Sequence, residues 1–252
     1  MSRIVTVLLL VVAIGILLSP ARAAEAPGSI LIWPVNPVIE GEDRAAALWL
    51  ENPGKTPVTL QVAIYGWAQP DGKNAYAPQQ DVVASPPIVT IEPGSRQLIR
   101  LTRTIAAPTE TERPYRIVVD EIPVDRSEEG QSKPAAAISF RMRYSLPLFA
   151  YSRGSGPAAI AKAKAPAPAP SLGWRAGSSA EGPYIEVRNT GPVHARLTQA
   201  SFAGQSLSEG LLGYVLPGSS ARWPLPAGTG ANGEFTVSVN GAPATPLARA
   251  AE

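Results

Sequence analysis

The chain carries one histidine, His194, and no cysteine. Those two counts remove most of the reactive chemistry open to a protein. Thiolate nucleophiles, cysteine–histidine pairs, disulfides and thiolate metal sites are excluded, and a lone imidazole without co-ligands makes a poor metal site. His194 follows Pro192-Val193 at the start of a strand-like run, where its simplest role is that of a loop or edge residue. A serine triad on the hydrolase pattern needs a G-x-S-x-G turn, and none occurs. Asp120 and Glu121 are neighbours within a strand-like run, so they face opposite sides and cannot work as an acid–base pair. Gly228-Thr229-Gly230-Ala231-Asn232-Gly233 matches G-x-G-x-x-G in form. A dinucleotide loop, however, must open a helix, and here prolines precede the motif while the strand-like Glu234 to Val239 follows, so it reads as a hairpin loop. No catalytic residue, metal or cofactor is expected, and the chain does not read as an enzyme.

The most informative residues are ones that could bind rather than react. In Ala135 to Tyr151, AAAISFRMRYSLPLFAY, every even position from 136 to 148 is apolar or aromatic, while positions 139 to 145 on the odd side are Ser139, Arg141, Arg143 and Ser145. Such alternation describes a strand with one apolar and one polar face. Thirteen alternating positions exceed the usual strand of about 5–6 residues, so a small sandwich cannot cover the whole apolar face, and part of it is available to a partner.

The elements that position this strand are legible from the turns. Strand-like runs at Ser29 to Ile39, Ala45 to Asn52, Thr59 to Trp67, Ile88 to Ile91, Arg96 to Arg103, Arg113 to Ile122 and Ala135 to Tyr151 alternate with turn sequences such as Asn52-Pro53-Gly54-Lys55 and Glu92-Pro93-Gly94-Ser95. This is the pattern of an immunoglobulin-like sandwich over residues 24–152. Gly154 to Ser171 is rich in alanine and proline, which favours extended polyproline-like chain, and residues 153–171 are expected to form a linker. Strand-like runs return at Tyr184 to Asn189, Ala195 to Phe202, Ser220 to Trp223 and Glu234 to Val239, giving a smaller sandwich over 172–252. The fold class is therefore all-β, with two sandwich domains.

The beginning of the chain states an address. Arg3, an apolar run from Ile4 to Leu18, Pro20 and the small-x-small sequence Ala21-Arg22-Ala23 predict a secretory signal cleaved after Ala23. Its core is shorter than the roughly 20 residues that span a bilayer, so the mature chain is expected to be soluble and not an integral membrane protein. Cleavage removes two of the 22 basic residues and none of the 20 acids, which leaves formal neutrality. No clustered basic run is present, and nucleic acid is not an expected partner.

Three stretches resemble the periplasmic pilus chaperones of the PapD-like superfamily. They are Ser85-Pro86-Pro87-Ile88-Val89 with Ile91-Glu92-Pro93-Gly94 and Ile99-Arg100-Leu101; the run from Tyr115 to Pro123 ending in Glu121-Ile122-Pro123; and the alternating strand ending Leu148-Phe149. The resemblance implies two immunoglobulin-like domains in a boomerang arrangement. It further implies a periplasmic chaperone that completes pilin-like subunits with its own strand and passes them to an outer-membrane usher. Carried over position by position, it places Ile138, Phe140, Met142 and Tyr144 as subunit-binding residues, after a variable loop at Val124 to Pro134. The family's carboxylate anchors, an arginine and a lysine, fall on Asn36 and Pro147, neither of which can pair with a carboxylate. That departure points to a divergent, archaic or spore-coat-type branch, with Arg100, Arg141 and Arg143 as replacement anchor candidates. The residues alone also leave open a secreted module for carbohydrate or a surface protein, given Trp33, Trp49, Trp67, Trp174 and Trp223, although all five lie in or beside strands.

Overall fold

The computed structural model describes residues 30–123, 141–226, 228–230 and 232–250. The signal segment, the loop at 124–134 and the donor candidates Ile138 and Phe140 lie outside the described residues.

The first domain contains β1 (Leu31–Trp33), β2 (Val38–Glu40), β3 (Ala45–Glu51), β4 (Val58–Ala68), β5 (Ala75–Pro78), β6 (Val82–Ser85), β7 (Ile88–Ile91), β8 (Arg96–Arg103), β9 (Glu112–Ile122) and β10 (Arg143–Tyr151). One sheet has the order β1-β3-β8-β6; the other runs β2-β10-β9-β4-β5, with β7 also on β4. Every second residue of the long strands points inward. Leu48 and Leu50 of β3, Ile99 and Leu101 of β8, Ile117 and Val119 of β9, and Leu146 and Leu148 of β10 share one core. The single strand expected over Ser29 to Ile39 is instead two strands in different sheets, β1 pairing with β3 and β2 with β10. Pro34 and Pro37 explain the change, because a proline has no N–H to continue a ladder and the chain crosses between sheets where it is interrupted.

The connecting segment is also not extended throughout. Pro157–Ala163 forms a short helix, α1, whose Ala158 and Ala159 amides donate to the Glu40 carboxylate at 3.0–3.2 Å. Proline sits at its first turn, where the missing N–H costs nothing, and the alanines that follow are the best helix formers. The second domain comprises β11 (Leu172–Ser179), β12 (Gly182–Asn189), β13 (Ala195–Phe202), β14 (Gln205–Val215), β15 (Ser220–Pro224), β16 (Phe235–Val239) and β17 (Thr245–Pro246). Sheets of order β11-β12-β15 and β14-β13-β16-β17 face each other across Trp174, Ile185, Leu197, Phe202 and Phe235. Strand β11 thus begins where the linker was expected to end. The glycine-rich stretch at 228–233 is not a hairpin loop: β15 and β16 belong to different sheets, so it joins the two layers.

Each domain is closed by a buried asparagine at the same kind of position, where a strand ends before x-Gly. Asn52 Nδ2 donates to the carbonyls of Thr56 and Ile91 at 2.8 and 2.9 Å, and its Oδ1 accepts from Gly54 N at 3.0 Å. Asn189 Nδ2 donates to Val193 O and Val215 O, and its Oδ1 accepts from Ser171 N and Gly191 N. Both side chains are fully buried. They satisfy loop groups that the sandwich has shut away from water. Asn52→Ala is expected to lower stability by about 2–3 kcal/mol, measured by urea unfolding of the mature chain, because it leaves enclosed carbonyls without donors.

Candidate functional site: the β10 edge and the interdomain cleft

Strand β10 is paired along its whole length with β9, from Arg143 opposite Asp120 to Tyr151 opposite Glu112. On its other side only Phe149, Ala150 and Tyr151 meet β2. From Arg143 to Leu148, therefore, one edge of β10 carries no strand among the described residues. Open edges are templates for further strands, and proteins normally shorten, charge or cover them. Here the edge is long and leads to an apolar row.

The even positions make up that row. Leu146, Leu148 and Ala150 are buried in the core of the first domain. Tyr144 packs on the same core half-buried, and its hydroxyl accepts a hydrogen bond from Ile30 N at 3.0 Å. Tyr144 thus serves its own domain as a wall, with its ring half-buried and its hydroxyl engaged. Met142 is the first residue of the row to emerge, with 38% of its surface exposed. Two hydrogen bonds to Glu121 hold its backbone, from Met142 N to the carboxylate and from Glu121 N to Met142 O.

The odd positions change character along the strand. Arg143 is exposed and paired to Asp120 of β9 at 2.5 and 3.0 Å, so it is a cross-strand ion pair. Arg141 is exposed. Beyond them Pro147, Phe149 and Tyr151 are buried, and Phe149 and Tyr151 form a cluster with Trp67 of β4 and with Val193 and Leu216 of the second domain. One strand therefore serves the first core on one face and the domain interface on the other. The sequence shows the switch at Pro147, where the polar odd row turns apolar.

Polar contacts fix that interface. Gln69, 7% exposed, donates from Nε2 to Tyr214 O and accepts at Oε1 from Leu216 N, both at 2.8 Å. Glu112 is buried at the start of β9; its carboxylate accepts from His194 N at 3.1 Å and meets His194 Nδ1 at 2.7 Å. The imidazole lies flat on Phe149 with ring centroids 3.7 Å apart. His194 lies, as expected, in the loop just before β13, but there it acts as an interdomain clamp, and no spacing in the sequence could pair it with a glutamate 82 positions away. Burial, with the Glu112 charge beside it, raises the Tyr151 hydroxyl well above the usual tyrosine range. A 3₁₀ turn at Pro70–Gly72 completes the contact: Gly72 has φ of +77°, and a Cβ there would approach Arg222 Cγ to 2.8 Å.

Beside this clamp lies a cleft of about 490 Å³ whose walls include Asn36, Pro147, Phe149, His194, Arg196 and Tyr214. The two positions lacking the family's anchor cations, Asn36 and Pro147, thus do line one cavity. The cations near it are not the expected ones. Arg100 points outward from the opposite sheet, between buried Ile99 and Leu101, and is away from the cleft. Arg116, by contrast, sits in β9 directly opposite Pro147. Cross-strand partners project on the same face about 4.5–5.5 Å apart, so Arg116 can bring charge to the place that Pro147 leaves neutral. It is 8% exposed, lies 3.9 Å from the centre of Trp67 with Tyr76 and Tyr214 beyond, and its Nε meets no acceptor among the described residues. Burial lowers its pKa, while Tyr76 and Tyr214 act in the opposite direction. Arg196, exposed on β13, faces the cleft from the second domain.

Comparison with known proteins identifies the fold around this site. Residues 32–152 match the pili and flagellar-assembly chaperone PapD N-terminal domain. The chaperone–tip adhesion subunit complex CsuC–CsuE, from archaic chaperone-usher Csu pili of Acinetobacter baumannii, contains a chain 30% identical, with TM-score 0.70, covering 88% of this chain and all of that one. This chain belongs to the pilus chaperones. CupB2, a chaperone of Pseudomonas aeruginosa, shares the fold at 20% identity and TM-score 0.56, covering 87% of this chain and all of its own. The Salmonella enterica complex of SafA pilin with the SafB chaperone does so at 17% and 0.58, covering 89% and 97%. No curated protein sequence matched. Membership favours a chaperone over a secreted carbohydrate module, and its tryptophans agree. Trp67 and Trp174 are core residues and Trp223 Nε1 donates to Leu212 O, while Trp33 and Trp49 stack on each other on the first domain's outer face. Replacing Gln69 by alanine leaves Leu216 N and Tyr214 O unpaired across the interface. The expected result is a loss of about 1–3 kcal/mol and a broader interdomain angle, read by thermal unfolding and small-angle scattering.

Proposed function

We propose that this chaperone is exported to the periplasm, where it binds pilin-like subunits by lending them the open edge of β10, and then passes them to an outer-membrane usher. The observation that carries this reading is the one-sided pairing of Arg143 to Leu148, next to an apolar row that leaves the first core at Met142. A subunit strand laid on that edge gains main-chain hydrogen bonds, and its groove takes the side chains of the row, with Phe140 and Ile138 continuing the alternation beyond Met142. The CsuC–CsuE and SafA–SafB structures, by their descriptions, are complexes of a chaperone with a subunit or pilin.

The chain-end carboxylate of a subunit requires a cation in the cleft. Arg116 takes that role with Arg196 as its neighbour, in place of Arg100, Arg141 and Arg143. Arg116 has the position, the unpaired donor and the enclosed setting in which a charged hydrogen bond is worth most.

Co-expression with a pilin-like subunit, followed by co-purification and thermal unfolding, tests both parts. Met142→Asp and Phe140→Asp are expected to abolish capture at unchanged stability, since each puts an unpaired carboxylate into an apolar groove, and Met142 is exposed in the free protein. Capture that survives both substitutions rules out donation by β10. Arg116→Met keeps the volume over Trp67 and is expected to weaken capture on the order of tenfold or more with little loss of stability. If Arg116→Met captures normally and Arg196→Ala does not, the anchor lies in the second domain.

A further inference from the structure

A second cavity, of about 750 Å³, opens at the end of the first domain opposite the β9–β10 loop, between the start of β3, the end of β8 and the residues after β10. It shares no lining residue with the interdomain cleft. Its chemistry begins in the core. Along β8, Ile99, Leu101 and Arg103 alternate onto the inner face; the first two are fully buried and the third is 6% exposed. A guanidinium therefore fills the last position of an apolar row.

That guanidinium is only partly satisfied. Nη2 donates to Gly41 O at 2.8 Å, whereas Nε and Nη1 are enclosed without an acceptor among the described residues. Burying a cation without a counter-ion costs several kcal/mol, and buried charges in folded proteins are as a rule paired. The acid on the cavity wall, Glu42, is taken by Arg153 at 2.8 and 2.6 Å. Arg44 lines the same cavity from the solvent side and, like Arg103, has no ion pair among the described residues. Two cations without counter-charge, with Thr104, Thr109 and Ser152 on the walls, thus surround one polar hollow.

We propose that this cavity is an anion site that takes a phosphate-class oxyanion between Arg103 and Arg44. A dianion with several acceptor oxygens, held by the exposed Arg44 beside the buried Arg103 guanidinium, balances the two groups in charge. It supplies the counter-charge that the chain itself does not bring to Arg103. The site is independent of subunit binding, because none of its residues lies on the β10 edge or in the cleft.

Titrating the mature chain with inorganic phosphate, and with acetate and chloride at matched ionic strength, tests the proposal by calorimetry and thermal unfolding. Phosphate is expected to bind and raise Tm, and the other two anions are not. Arg44→Ala, an exposed position, should weaken phosphate binding on the order of tenfold or more. Arg103→Met should abolish the phosphate-dependent rise while unfolding, without phosphate, at or above the parent temperature, because an uncompensated buried charge is gone. If Arg103→Met does not fold, Arg44→Ala decides alone. No phosphate response in the parent, an undiminished response in Arg44→Ala, or an equal response to acetate overturns the proposal.

Discussion

Everything in this chaperone depends on one strand having two finished faces and one unfinished edge. The even residues of β10, from Tyr144 to Ala150, complete the first domain's core, and the odd residues Phe149 and Tyr151 complete the domain interface. Strand geometry makes both possible at once, because successive side chains project to opposite sides while the ladder groups lie in the plane between them. The edge can therefore be left open without loosening either face. A strand with only one buried face could slip in register when a partner pulled on it; a slip of one residue in β10 would empty both cores.

The interface has a consequence for binding. Glu112 and His194, Gln69 with the backbone of Tyr214 and Leu216, and Gly72 against Arg222 tie the domains at separate points around the aromatic cluster of Trp67 and Phe149. The cleft is consequently formed by contacts within the chain itself. Preorganisation of this kind spares the ordering cost that a hinged pair of domains would incur on binding. Arg116 belongs to the same rigid block, since its charge rests on Trp67 and Tyr214, residues that also join the domains.

The sequence made the first domain legible because its cores are built by alternation, which leaves a period of two, and because Asn-Pro-Gly and Glu-Pro-Gly turns mark where strands end. The strands at Ile88–Ile91 and Arg96–Arg103 were readable to the residue. Other features were not. The division of Ser29 to Ile39 between two sheets depends on long-range pairing with β3 and β10 that local pattern does not carry. The strands β5 and β11 are rich in alanine, glycine and serine, so their hydrophobic signal is faint. Arg116 was not singled out because family likeness maps residues along one strand, whereas it lies opposite Pro147 on the neighbouring one. His194 was similarly opaque, since its partner lies in the other domain.

The central claim, that the open edge of β10 is where a subunit is held, is tested most directly by amide hydrogen exchange on the mature chain, alone and in complex with a pilin-like subunit. Amides between Met142 and Leu148 that face away from β9 should exchange rapidly in the free protein and become strongly protected in the complex, while those facing β9 change little. Protection that appears instead on the outer face around Trp33 and Trp49, with no change along β10, would contradict the account.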